Sequence, residues 1–224
     1  MRILLVDDHP IFRHGLTMLL SGLRPELQID QCAHPEHLPG LLLQRGGEAF
    51  ALALLDLHMP GFEGLQALTN FRELAPGVPV VVLSGNEDPL TVQACIDHGA
   101  WGYVPKSADP EVLVSAMERI LGGGVWLPNS SLRIVDQATR PVQASAQGWT
   151  QMRLPITLRQ RDVLQRVVQG KTNKVIGREL GISDGTVKTH LAHVMAMLGV
   201  NTRTQIVYEL ARQGIRVDQI ALGP

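Results

Sequence analysis

The sequence is short of cysteine, with two residues in 224, and of aromatic side chains, which make up 4% of it. Cys32 and Cys95 have no C-x-x-C or metal-ligand spacing, so a disulfide framework is not expected. They read as two small buried apolar side chains in a reducing compartment. The eight histidines show no ligand spacing either, which gives no reason to expect a zinc site. No apolar stretch approaches the roughly 18–20 residues that span a bilayer. At the N-terminus, MRILLVDDHP has a four-residue apolar run before two carboxylates, which does not suit a signal peptide. The expectation is a cytoplasmic chain without membrane contact. A dinucleotide fingerprint is lacking too, because Gly122-Gly123-Gly124 follows a helical stretch and lacks the G-x-G-x-x-G spacing.

What is present divides in two. Apolar residues are 45% and charged residues 18%, a globular rather than a disordered balance. The formal net charge of −1 hides an asymmetry: residues 1–149 carry 9 basic against 16 acidic groups, and residues 150–224 carry 11 against 5. An acidic segment joined to a basic one points to nucleic acid on one side. In the acidic part, Ile3–Val6, Ala51–Leu55 and Val78–Leu83 are continuous Val/Ile/Leu runs, as strands buried on both faces should be. Leu27–Cys32 and Trp101–Val104 complete five candidate strands. Between them Asp88-Pro89 and Asp109-Pro110 open helices, and Gly22 and Gly99 are placed to stop them. The predicted fold is α/β, a five-stranded doubly wound parallel sheet of flavodoxin-like order 2-1-3-4-5, followed by a small all-α domain. Residues 1–121 are assigned to the first domain, 122–153 to a linker rich in Gly, Pro, Ser, Gln and Ala, and 154–224 to the second.

The chemistry gathers at strand ends. Asp7 and Asp8 follow the first strand, Asp56 ends the third, Ser84 ends the fourth and Lys106 follows the fifth. The expected strand order points these ends into one crevice. Three carboxylates there would repel one another unless a cation shares the site, and an all-oxygen set of this kind suits Mg2+. A hydroxyl and an ammonium alongside would bind phosphoryl oxygens. Taken singly, Asp8 could cap the helix after Pro10 and Lys106 could be a solvated side chain; the ordered set is what distinguishes them. With LLVDDHP, LLDLHMPGFEGL, VVLSG and GAWGYVPK, residues 1–121 resemble the receiver domain of two-component response regulators. The resemblance implies that Asp56 accepts a phosphoryl group and that Asp8, Asp56 and the main-chain carbonyl of His58 bind Mg2+, with Asp7 assisting through water. It also implies that Ser84 and Lys106 hold the phosphoryl oxygens and that Tyr103 is an aromatic switch moving with Ser84. His58 and Asn86 would tune the lifetime of the phosphate. A cis peptide before the lysine is implied as well, for which Val104–Pro105 is the eligible bond.

From Pro155 onward the strand signals vanish and four helices are expected. Thr157-x-x-Gln160 and Thr202-x-x-Gln205 fit capping boxes, Thr172 and Ser183 are N-caps, and Gly181-Ile182-Ser183 is the tight link of a helix-turn-helix. On the second of these middle helices Val187, Leu191, Val194 and Leu198 form an apolar stripe. Gly185, Thr189, Ala192 and Ala196 lie opposite, with Lys188 and His193 at the edges. ITLRQRDVLQRVVQGKTNKVIGRELGISDGTVKTHLAHVMAMLGV resembles the LuxR-type output domain of the NarL/FixJ response regulators. That resemblance implies that Lys188, Thr189, Ala192 and His193 face the DNA groove and that Lys171, Asn173, Lys174 and Thr186 lie near phosphates. The last helix, about 203–213, carries Ile206, Val207 and Leu210 and would form a homodimer contact on DNA. Leu158 and Gln160 depart from a Pro and a Glu common in the family, and Ala192 stands where several relatives are basic.

The two resemblances together imply a phosphoprotein of a two-component phosphorelay, phosphorylated by a sensor histidine kinase with Mg2+. It would bind double-stranded DNA to regulate transcription, with RNA polymerase a further partner, and it would not be an enzyme beyond its own phosphorylation and autodephosphorylation. The opposite charges of the two halves favour docking that phosphorylation would relieve. The alternative is a constitutive DNA-binding factor whose receiver no longer switches. A phosphatase of the haloacid-dehalogenase kind needs a second Asp two residues after the nucleophile, where this chain has His58.

Overall fold

Four short apolar segments and one half-polar segment at the edge pair side by side, in parallel. In the computed structural model, which describes residues 1–46, 50–128 and 156–212, these are β1 (Arg2–Val6), β2 (Gln28–Cys32), β3 (Leu52–Asp56), β4 (Val80–Ser84) and β5 (Gly102–Pro105). They form one parallel sheet in the order β2-β1-β3-β4-β5. Every residue of β3, β4 and β5 is buried, whereas β2 at the edge is half polar. The helices between the strands are α1 (Pro10–Leu23), α2 (Leu38–Arg45), α3 (Gly64–Leu74), α4 (Pro89–Asp97) and α5 (Pro110–Leu121). Because β1 is flanked by β2 on one side and β3 on the other, the chain reverses its direction of winding there. The carboxyl ends of β1 and β3 therefore open the crevice in which α/β folds bind ligands.

Several local features differ from what the sequence suggests. Helix α1 runs through Gly22 to Leu23, and the backbone N–H of Arg24 closes it on Leu20; Gly22 keeps helical geometry on the exposed side and stops nothing. Gly99 does follow a helix end, at φ +87°. No peptide is cis among the described residues, so Val104–Pro105 is trans, the isomer favoured at X–Pro by about 0.5–1 kcal/mol. A two-residue hairpin, His58–Met59 against Phe62–Glu63, was not foreseen. It turns at Gly61, φ +73°.

The chain divides into two compact units, Met1–Glu118 and Arg119–Pro224. Val125 and Leu127, inside the expected linker, are buried. The linker residues 129–153 lie outside the described residues, as do 154–155 and 213–224 of the expected second domain. That unit contains α6 (Leu158–Val168), α7 (Asn173–Leu180), α8 (Asp184–Leu198) and α9 (Arg203–Arg212). Their apolar stripes meet in one core of Ile156, Val163, Leu164, Val167, Ile176, Val187, Leu191, Val194, Ile206 and Leu210. Among the described residues no helix is long and apolar enough to cross a membrane.

Candidate functional site

Residues far apart in sequence meet where the strands end. Asp7 and Asp56 are 0% and 1% exposed, and each is held in the same way. The amide two residues on donates to Oδ1, His9 N to Asp7 at 2.7 Å and His58 N to Asp56 at 3.0 Å. Lys106 Nζ reaches the other oxygens, 2.8 Å from Asp7 Oδ2 and 2.7 Å from Asp56 Oδ2. Its cation also lies 5.0 Å from the centre of the Phe12 ring. Asp8, partly exposed, completes the acidic set, and one ligand atom from each of Asp7, Asp8, His9 and Asp56 lies within 4.8 Å of the others. Two buried oxygens, Asp7 Oδ2 and Asp8 Oδ1, accept no aligned hydrogen bond among the described residues. Three clustered carboxylates, two of them sharing one ammonium and the third with a buried oxygen that accepts no aligned hydrogen bond, make a set that fits a divalent cation.

Beside the acids a second chain of contacts begins at Ser84. Its Oγ accepts from the backbone N–H of Asn86 at 3.1 Å and lies 3.4 Å from His58 Nδ1. The carbonyl of Asn86 in turn accepts from the Tyr103 hydroxyl. Tyr103 is wholly buried, and that burial pushes its phenol up to about 12. One residue, Asn86, thus ties hydroxyl to phenol. The loop is further fastened where Ser107 donates to Glu87 at 2.7 Å. His9 was missed in the sequence, although its place directly after Asp7-Asp8 was the available signal.

In the second unit the caps are those the sequence announced. Thr157 and Gln160 form a capping box, so the Glu-to-Gln departure keeps the reciprocal bond. Thr202 and Gln205 do the same. Thr172 caps α7 and Ser183 caps α8. Gly181, left-handed at φ +64°, turns the chain between them. Gly177 lets that turn close, because a Cβ there would stand 2.7 Å from the carbonyl oxygen of Ile182. Val187, Leu191 and Val194 point into the core, while Gly185, Lys188, Thr189, Ala192, His193 and Ala196 are exposed on α8. Thr186 is half-buried beside the Ser183 cap.

At the start of α7, Lys174 is exposed. Lys171 is engaged with Glu179 at 2.7 and 2.8 Å, and this ammonium holds the Glu179 carboxyl below its usual range. Asn173 Oδ1 accepts from Arg203 Nη1 at 3.0 Å, and Arg203 also donates to the Lys171 carbonyl. Arg203 is 8% exposed, and burial lowers its guanidinium to about 10. On the helix expected to carry a dimer contact, Ile206 and Leu210 are 0% and 2% exposed and pack in the core of their own unit.

The response regulator receiver domain family matches residues 3–118, and the luxR family of bacterial regulatory proteins matches residues 154–210. A glycerol metabolism activator of Pseudomonas putida is 34% identical over 207 residues, covering 92% of this chain and 93% of its own. The nitrate/nitrite response regulator protein NarL of Escherichia coli (strain K12) is 31% identical over 203 residues, 91% of each chain. Among solved structures, a LuxR-family two-component response regulator from Aurantimonas sp. SI85-9A1 is 28% identical over 61% of this chain and 96% of that one, with a TM-score of 0.52. The RcsB response regulator of Salmonella typhimurium shares the fold at a TM-score of 0.51, with 23% identity over 94% of this chain and 98% of that one.

Proposed function

The chain belongs to the NarL/FixJ family of two-component response regulators, and from that premise we propose that Asp56 is the residue on which it receives its signal. A receiver joined to a LuxR-type DNA-binding domain makes it a transcriptional regulator rather than a classical enzyme. In the proposed step a carboxylate oxygen of Asp56 bonds to phosphorus as the phosphorus–nitrogen bond to the kinase histidine breaks. Asp8, Asp56 and the main-chain carbonyl of His58 would hold Mg2+, with Asp7 assisting through water, and the ion would supply positive charge beside the phosphoryl group. Lys106, now shared between Asp7 and Asp56, pairs with a phosphoryl oxygen, and Ser84 donates to another. Movement of Ser84 is passed through Asn86 to Tyr103. The observation that carries this reading is the placement of Asp56, 1% exposed at the end of β3 and 2.7 Å from Lys106.

On DNA, the exposed face of α8 led by Lys188, with Thr189, Ala192 and His193, enters the major groove. Lys171, Asn173, Lys174 and Thr186 face phosphates. Residues 1–121 serve as the receiver, 122–153 as the linker and 154–224 as the DNA-binding domain. The protein acts in the cytoplasm as a homodimer on DNA, with a sensor histidine kinase upstream and RNA polymerase downstream. Incubation with Mg2+ and a small phosphodonor should add one phosphoryl mass to the wild type and none to Asp56→Asn. Failure of the wild type to gain it overturns the proposal. Operator binding that is equally tight with and without phosphate excludes gating of the DNA-binding domain.

A further inference from the structure

We infer that His9 is a fourth, nitrogen ligand of the acidic pocket and that it turns the pocket's preference from Mg2+ towards first-row divalent transition ions such as Co2+ and Mn2+. The inference deepens the reading of this pocket as the cation site beside Asp56. His9 Nδ1 lies 2.9 Å from Asp8 Oδ1, 3.3 Å from Asp7 Oδ1 and 3.5 Å from Asp56 Oδ2. Adjacent ligands held 2.0–2.1 Å from a six-coordinate ion stand about 3 Å apart, so these spacings are those of neighbours in one coordination shell. The shortest of them is not a hydrogen bond, since Asp8 Oδ1 accepts none that is aligned.

The side chain is not engaged by the helix it precedes. His9 is the N-cap of α1, where Ser, Thr, Asp or Asn would satisfy a backbone donor, yet it makes no side-chain cap bond. Its main chain is fixed on both sides, by the bond from its N–H to Asp7 Oδ1 and by Pro10 at the first helical position. Lys106 Nζ at 3.3 Å is the hydrogen-bond partner of Nδ1. An imidazole among three carboxylates suits ions that accept both nitrogen and oxygen, whereas Mg2+ favours oxygen throughout.

The test uses the full chain and its His9→Asn variant, titrated calorimetrically with CoCl2 and with MgCl2, and then loaded with Mn2+ for electron spin-echo measurements. Losing the ligand should weaken Co2+ binding about tenfold or more and Mg2+ binding by less than about threefold. Retained Mg2+ affinity shows that the variant keeps its pocket. Mn2+ in the wild type should couple to a directly bonded 14N, and that coupling should vanish in the variant. Equal Co2+ affinity in the two proteins, or Mn2+ bound without nitrogen coupling, overturns the inference. Phosphorylation of Asp56 in Mg2+ is read separately, so it can fail while His9-dependent Co2+ binding persists, and the reverse also holds.

Discussion

Replacing Lys106 with Met should destabilise the first unit by about 3 kcal/mol at pH 7 in the presence of a chelator. Lys106 Nζ sits 2.7 and 2.8 Å from two carboxylates that are almost fully buried. At an effective dielectric of about 20, unit charges that close attract by roughly 6 kcal/mol, so two such contacts would far exceed the loss expected. Most of that attraction is offset by the cost of taking the three charges out of water, which leaves the few kcal/mol typical of breaking a buried ion pair. Met keeps most of the aliphatic stem and removes the cost of burying an ammonium, which returns part of that loss. Hydrogen exchange of the β1 and β3 amides measures the result, and 3 kcal/mol corresponds to roughly a hundredfold faster exchange. Adding Asp56→Asn to Lys106→Met removes one negative charge and should recover most of the loss, as should saturating Mg2+. Unchanged exchange in the single variant, or a double variant no better protected, refutes the electrostatic account of the pocket.

Other consequences are as direct. Tyr103, with its phenol raised from 10.0 to about 12 by burial, favours the fold only while neutral. Its contribution is intact below pH 10 and is lost as pH rises towards about 12. Absorbance at 295 nm should show a tyrosine ionising late and together with unfolding, a step missing in Tyr103→Phe; ionisation near pH 10 with the fold intact contradicts this. Ala at position 177 gains up to about 1 kcal/mol of helix propensity but drives its methyl into the Ile182 carbonyl. The clash should prevail by about 1–3 kcal/mol in the melting of the second unit, and a more stable variant would show that the turn yields. Lys174→Ala should weaken all DNA alike and lower the salt slope by about 0.9, whereas Lys188→Ala should cost about 1–3 kcal/mol on the operator alone. Identical behaviour of the two variants would undo the division between phosphate and base contacts.

The sheet and its crevice were legible because parallel strands buried on both faces must be runs such as Leu52–Leu55 and Val80–Leu83, and because strand ends then fix which side chains meet. The helical caps were legible for a related reason: each is a bond between residues three apart. What escaped depends on contacts without a local signature. Whether Gly22 ends α1 depends on where the next turn can pack, and its neighbours in sequence do not say. The hairpin at His58 is two residues per strand, too short for any periodicity. His9 was in plain view, yet only the folded chain brings Asp56 to it. Nothing local to Arg203 announces that α9 brings it to Asn173 and the Lys171 carbonyl, 30 and 32 residues away.

That last placement bears on how the protein can be dissected. With Arg203 fastened to the Lys171 carbonyl and to Asn173, and with Ile206 and Leu210 in the core, α9 is the keystone of the fourfold helical arch rather than a detachable tail. A fragment cut after α8 would keep every residue proposed to face DNA and lose the brace behind two of them. Anyone designing a minimal DNA-binding version should therefore place the cut beyond Arg212, and should read an inactive shorter fragment as a collapsed arch before concluding that its recognition residues were wrong.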